Sequence, residues 1–274
     1  MKYTKLSLQY MKRRWLYVLA YSILPAIVFT LTSKPVSIFN AIVSLKDNTD
    51  AKFIDVWLGA TEISLKGFLL LILSGLLLIV FASAFCGLME RDMRLGDLTN
   101  KKFFGRVNNN FLIVFKIFFV FVIMLELFGV MNSALIYLWY RISRGNYIVF
   151  TVLASTSLTI LSIVFVAFAA LGILWIPTMI VAGLNMRKSL VEALQLIKGK
   201  VFKMIFNILL PLVPFYAVVM VCNYFNIGWL CFFSELILHL FIIGYYFVLM
   251  FVTYFDATGT DREDLKKKIW EVGK

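Results

Sequence analysis

Residues 67–88 read GFLLLILSGLLLIVFASAFCGL, without one charge, and residues 89–107 behind them read MERDMRLGDLTNKKFFGRV. A helix needs roughly 20 apolar residues to cross the hydrocarbon of a bilayer, rising about 1.5 Å per residue. The cationic stretch that follows would be costly to place in lipid, so it stays outside. One crossing followed by a basic loop is therefore the unit of this chain, and the fold depends on how often it recurs.

Comparable runs lie at about 15–32, 110–131, 149–176, 204–222 and 232–254, which gives six spans with the first one quoted. Composition agrees: 62% of the residues are hydrophobic and 15% charged. A soluble domain of this size could not bury so much apolar surface. The run from Trp15 to Leu31 follows Lys12, Arg13 and Arg14 like a signal peptide, but it is long enough to span and lacks a small-x-small cleavage site. It reads as the first span. The fifth run carries Pro211 and Pro214, tolerable where neighbours re-satisfy the freed carbonyls. Apolar sequence from Tyr147 to Gly183 is too long for one straight span, so Gly172 and Pro177 are expected to bend or end it.

Charge tests the threading. With the N-terminus inside, the cytoplasmic segments hold Lys2, Lys5, Lys12, Arg13 and Arg14, then Arg91, Arg94, Lys101, Lys102 and Arg106. The next holds Arg187, Lys188, Lys198, Lys200 and Lys203, and the tail over 255–274 holds Arg262, Lys266, Lys267, Lys268 and Lys274. These are 20 of the 27 basic residues, and Lys116 can snorkel to the same side. Lys34, Lys46, Lys52, Lys66, Arg141 and Arg144 remain outside. That asymmetry predicts both termini in the cytoplasm of a cell-membrane protein. Seven spans would put the C-terminal cluster outside. The net charge of +12 thus points to anionic lipid headgroups rather than nucleic acid, because no basic, aromatic-studded domain exists to bind one.

The expected fold is an all-α integral membrane protein, one polytopic domain over residues 1–274. Six transmembrane helices are joined by amphipathic interfacial helices on the cytoplasmic side. Trp15 marks the inner edge; Tyr137, Trp139, Tyr140 and Tyr147 mark the outer one. The outer loop over 33–66 mixes Ile38, Phe39, Ile42 and Val43 with Asp47, Asp50, Asp55 and Glu62, and is expected to cap the bundle.

A basic amphipathic segment precedes the first, third and fifth spans. In the third such segment, Ser189 with Glu192 suggests a capping box, and Leu190, Val191, Leu194 and Ile197 fall on one helical face. Gly87-Leu88 with Arg91 echoes Gly183-Leu184 with Arg187, as a parallel duplication would. The stretch from Trp175-Ile-Pro177 through Ser189-Leu-Val-Glu192-Ala193-Leu194 and Lys198-Gly199-Lys200 to Phe202 resembles a known segment. It is similar to the six-helix membrane domain fused to some glycerophosphodiester phosphodiesterases, and to its free-standing relatives. Phe103-Phe104-Gly105-Arg106-Val107 to Phe111 resembles the corresponding first-half segment. The resemblance covers spans two to six and implies a fold. The phosphodiesterase domain is absent from this sequence, so its chemistry is not implied.

Ionisable residues inside a span are functional candidates by default. Glu126 lies late in the outward third span, and Glu235 and His239 lie early in the inward sixth, all at similar depth in the outer half. Glu235 and His239 are four residues apart and share a helix side. Together the three suit proton or substrate handling. The alternative is ordinary placement near the outer interface, with Arg141 or Arg144 neutralising Glu126 and the other two capping the sixth span. Ser155, Thr159 and Ser162 form a hydroxylated stripe with Ala169, suited to close helix packing or to a polar path. Arg187, Lys188, Lys198, Lys200 and Lys203 suit contact with headgroups or a partner. Cys222 and Cys231 flank a short outer turn, where a disulfide or two ordinary thiols fit; Cys86 sits near the inner face.

The sequence carries no phosphate-binding glycine loop, HExxH, nucleophile elbow or paired-cysteine motif. Neither cofactor nor metal is expected. The preferred expectation is a non-enzymatic, transporter-like or membrane-homeostasis component handling a small or lipidic solute. One alternative is the permease subunit of an ATP-driven exporter, with an ATPase subunit docked on the segments near Glu90–Gly96 and Ser189–Lys198. The other is an intramembrane lipid enzyme using Glu235 and His239 as acid and base.

Overall fold

Unbroken apolar runs become long helices because lipid offers backbone groups no partner, so each segment must bond its own. A computed structural model describes residues 2–32, 42–45, 51–61, 65–98, 102–143, 146–225 and 227–265. Lys34, Ile38, Phe39, Lys46, Asp47, Asp50, Glu62, Lys101, Arg144, Lys266, Lys267, Lys268 and Lys274 lie outside the described residues. Among the described residues the fold is helical throughout, without strands.

The helices run α1 (Lys2–Arg13), α2 (Trp15–Thr32), α3 (Phe53–Thr61), α4 (Leu65–Leu95), α5 (Phe103–Ser143) and α6 (Tyr147–Gly172). They continue with α7 (Trp175–Ala182), α8 (Met186–Ile197), α9 (Val201–Leu209), α10 (Leu212–Phe225) and α11 (Gly228–Thr258). Six segments are long and apolar enough to cross a membrane: α2, most of α4, α5, α6 with α7, α9 with α10, and α11. This fits a multi-pass membrane protein. Helix α2 packs between α4 and α11, α5 joins α4 to α6, and α10 closes on α11. The main core gathers Phe85, Leu88, Met89 and Met93 of α4 with Tyr245, Val248, Phe251 and Phe255 of α11. Gly244 lets α2 and α11 meet closely, since a Cβ there would stand 2.7 Å from Val18 Cγ1.

The fourth run breaks as expected. Helix α6 stops at Gly172, and α7 restarts with Pro177 in its first turn, where a missing N–H costs little. Pro211 separates α9 from α10. It has no N–H for the Asn207 carbonyl, and that carbonyl accepts instead from the Tyr245 hydroxyl at 2.7 Å. The Ile208 carbonyl likewise accepts from the Tyr246 hydroxyl at 3.0 Å. Two tyrosines of α11 therefore supply what the broken span lacks.

Polar contacts bring one set of helix ends together. Arg14 donates to both carboxylate oxygens of Asp92, from Nε at 3.1 Å and from a terminal nitrogen at 3.0 Å, and Tyr10 donates to Asp92 at 3.0 Å. Arg13 reaches Asp264 at 2.8 Å, and Lys2 reaches Asp256 at 2.6 Å. The N-terminal helix is thereby strapped to the ends of α4 and α11. At the opposite end Ile42, Leu45, Ala51 and Val56 pack on Ile136, Phe150 and Ala154, with Tyr137, Trp139, Tyr140 and Tyr147 around them. The described part of the loop over 33–66 thus covers the α5–α6 end, among the expected edge aromatics.

The three basic segments are not copies in local structure. Helices α1 and α8 are separate, whereas the middle segment runs straight into the 41-residue α5. Gly87 lies within α4 against Arg106 and Asn110, where a Cβ would stand 2.7 Å from Asn110 Nδ2. Gly183 instead ends α7 with a left-handed φ of 65°. Their likeness in sequence serves two different purposes.

Candidate functional site

Helix α11 carries Glu235 and His239 in its second and third turns, past the position of a cap; the residue at its N-cap is Ile227, which makes no side-chain cap. Glu235 is buried, and Asn223 of α10 donates to its Oε1 at 3.3 Å. His239 is half-buried and turns to α2, where its Nδ1 lies 3.0 Å from Thr30 Oγ1. Thr30 Oγ1 also lies 2.8 Å from the Ala26 carbonyl, to which it donates. The Phe29 ring stands 6.2 Å from the imidazole. Three separate spans therefore meet along a polar seam: Asn223 from α10, Glu235 and His239 from α11, and Thr30 from α2. A carboxylate and an imidazole one turn apart inside a bundle can take up a proton or orient a polar group.

Glu126 stays apart from this seam. It is exposed on α5 between the exposed Leu125 and Leu127, and it bonds no described side chain. Arg141 turns to Tyr137, donating to its hydroxyl at 3.0 Å. The hydroxylated stripe is bonded to its own helix: Thr159, exposed, donates to the Ser155 carbonyl at 2.8 Å. Ser155 and Ser162 are half-buried, beside the face that α6 buries through Phe150, Ala154 and Leu158. The structure thus joins two of the three outer residues and sets the stripe next to the packing face. Cys222 and Cys231 are free thiols, with Cys231 Sγ 3.4 Å from the Cys222 carbonyl; Cys86 is buried in the core.

Helix α8 departs from the expected detail. Its N-cap is Asn185, which accepts from the Lys188 backbone N–H at 3.1 Å. Ser189 lies inside the helix, where Trp175 Nε1 donates to it at 3.1 Å and to the Met186 carbonyl at 2.9 Å. The capping box gives way because Asn185 offers its oxygen one turn earlier. The inward face is Ser189, Ala193 and Ile197, small enough for α8 to lie close on α7. Val191 and Leu194 point outward, 52% and 39% exposed. Arg187, Lys188, Lys198 and Lys203 are exposed and Lys200 is half-buried. An open groove of about 920 Å³ runs along α8 between Leu184 and Leu196, past Arg187, Lys188, Val191, Glu192 and Gln195.

The most heavily bonded polar group escaped the sequence reading, which counted Arg13, Arg14 and Arg262 only as headgroup charges. Arg13 and Arg262 both grip the buried Asp264, and Arg14 grips the buried Asp92. Asn207 is a second hub. It accepts from the Thr4 backbone N–H at 3.0 Å and the Thr4 hydroxyl at 2.7 Å, and its side-chain amide donates to the Lys203 carbonyl. Burial, with the Asp92 carboxylate beside it, pushes the Tyr10 phenol well above its ordinary 10; burial and Asp256 raise Tyr3. A signal was present: acids Asp92 and Asp264 stand in segments that also carry arginines, and each needs a partner if buried.

No family model, curated protein or solved structure matches this chain.

Proposed function

We propose that this is a non-enzymatic, transporter-like or membrane-homeostasis protein of the cell membrane that handles a small or lipidic solute. Both termini lie in the cytoplasm, and the end bearing α1 and α8 faces the anionic leaflet. The observation that carries the functional reading is the seam of Glu235, His239, Asn223 and Thr30. A buried carboxylate is costly inside a span, and Asn223 of α10 donates to this one while Thr30 of α2 bonds His239 one turn along. The charge asymmetry of the chain supports the orientation. The six spans and α8 accord with the resemblance to the six-helix domain, which we retain as a proposal about fold alone.

The test is purification in native lipid followed by mass spectrometry of what stays bound. One solute or lipid should be enriched with the native chain and lost from the Glu235→Gln, His239→Gln double variant. An identical profile for the two proteins would refute the assignment. The exposed Val191 and Leu194 on α8 support a second reading, the permease subunit of an ATP-driven exporter. A stoichiometric ATPase recovered in the same purification would replace the first reading with it.

A further inference from the structure

The groove along α8 lies at the opposite end of the bundle from the Glu235 seam, and its chemistry is different. It opens at Leu184, two residues past Ala182, where the apolar segment Tyr147–Ala182 ends. A groove that starts where a span stops lies at the depth of lipid headgroups. From Leu184 to Leu196 it follows about 18 Å of chain at helical rise. Leu184, Val191 and Leu196 give it apolar length, while Arg187 and Lys188 place two cations between Leu184 and Val191. Glu192 and Gln195 follow further along.

From this arrangement we infer that the groove along α8 is a binding site for one anionic phospholipid. The phosphate sits at Arg187 and Lys188, and an acyl chain lies along Val191 and Leu196. Two features favour a lipid over a protein segment. The groove begins where an apolar span ends, and the segment from Arg187 to Lys203 holds five cations against the single acid Glu192. Trp175 fixes the site, because its two hydrogen bonds hold α8 against α7 at the end where the cations stand. Glu192, one turn beyond Lys188, disfavours an anion deeper in the groove and so sets the direction in which the lipid lies. The inference refines the proposed contact with the anionic leaflet and needs no particular solute at Glu235.

Native mass spectrometry of the full chain, released from detergent with added phosphatidylglycerol or phosphatidylcholine, tests it. The native protein should retain one phosphatidylglycerol about tenfold more readily than phosphatidylcholine. Arg187→Gln with Lys188→Gln should erase that preference, and Val191→Ser should weaken retention of both lipids. Lys198→Gln with Lys203→Gln, outside the groove, should leave the preference standing. Equal retention of the two lipids by the native chain would overturn the site, as would equal loss in both cation variants. Competition by soluble glycerophosphoglycerol at equal concentration would show a bare phosphate site and overturn the lipid assignment. An ATPase protecting Arg187 and Lys188 from modification in native membranes would assign the groove to a protein. None of these results depends on Glu235 or His239, so the two proposals fail separately.

Discussion

Tyr245→Phe is the sharpest test of how the broken fifth span is held. The substitution removes one oxygen from a tightly packed core position and leaves the ring in place. The oxygen donates to the Asn207 carbonyl at 2.7 Å and stands 3.3 Å from Thr4 Oγ1. In an unbroken helix that carbonyl would accept from residue 211, but residue 211 is proline. Loss of the hydroxyl would leave the carbonyl buried with no donor in its place. Stranding a buried acceptor costs about 1–3 kcal/mol. For a chain of this size that corresponds to a fall of about 2–10 °C in the unfolding midpoint.

The readout is the reactivity of Cys86, a wholly buried thiol, during heating in detergent. Cys222 and Cys231 are replaced by serine in every sample, and all midpoints are taken at one scan rate. A second background separates lost hydrogen bonding from general damage. Pro211→Ala restores an N–H at the one position able to serve the Asn207 carbonyl. In that background Tyr245→Phe should cost less than half as much. Equal losses in both backgrounds, or a native-background loss under about 1 °C, would refute the account of the break.

Two further outcomes follow from packing and charge. Gly244→Ala places a methyl 2.7 Å from Val18 Cγ1 and 3.4 Å from Ser22 Oγ, so α2 and α11 must separate; overpacking of this kind costs about 1–3 kcal/mol, and the midpoint should fall while Gly228→Ala, with open space around it, leaves it unchanged. Tyr10 is held protonated in the folded chain above its ordinary 10, so its contribution to stability is complete below pH 10 and declines as pH rises beyond it. Between pH 8 and pH 11 the native protein should therefore lose about 1 kcal/mol more stability than Tyr10→Phe, and parallel pH profiles for the two would show that Tyr10 titrates normally.

Much of the fold was legible because lipid makes a blunt demand. Each span must be apolar over a fixed length, and each cationic cluster must stay out, so hydropathy and charge alone delimit the six crossings. The break at Gly172 and the need for neighbours to serve the carbonyls freed at Pro211 were legible for an equally local reason: proline and glycine act on their own backbone. What the spans do to one another was not legible. Lipid-facing and partner-facing residues have nearly the same composition, so nothing marked Glu126 as exposed and Glu235 as buried. Nor did helical spacing choose between the two sides of α8. Ser189 and Ala193 form its inward face because they are small, a property that hydrophobic periodicity does not weigh.

The basic end shows why charge counting bears on threading and misses architecture. For topology, Arg13, Arg14 and Arg262 are three more cations on one side of the membrane. In the fold they are engaged internally by Asp92 and Asp264, both with fully buried side chains. Removing one partner of such a pair is costly because the remaining charge stays buried, so these contacts fix α1 in a single register. The same helix presents Thr4 to Asn207, whose carbonyl is the one Pro211 leaves unserved. A chain of contacts thus runs from α1 through Asn207 to the break between α9 and α10, with Tyr245 of α11 bonded at the same point. Helix α10 continues from that break to Asn223, the donor to Glu235. The strapped N-terminal helix therefore reaches the break of one discontinuous span, and the far end of that span carries the donor to Glu235.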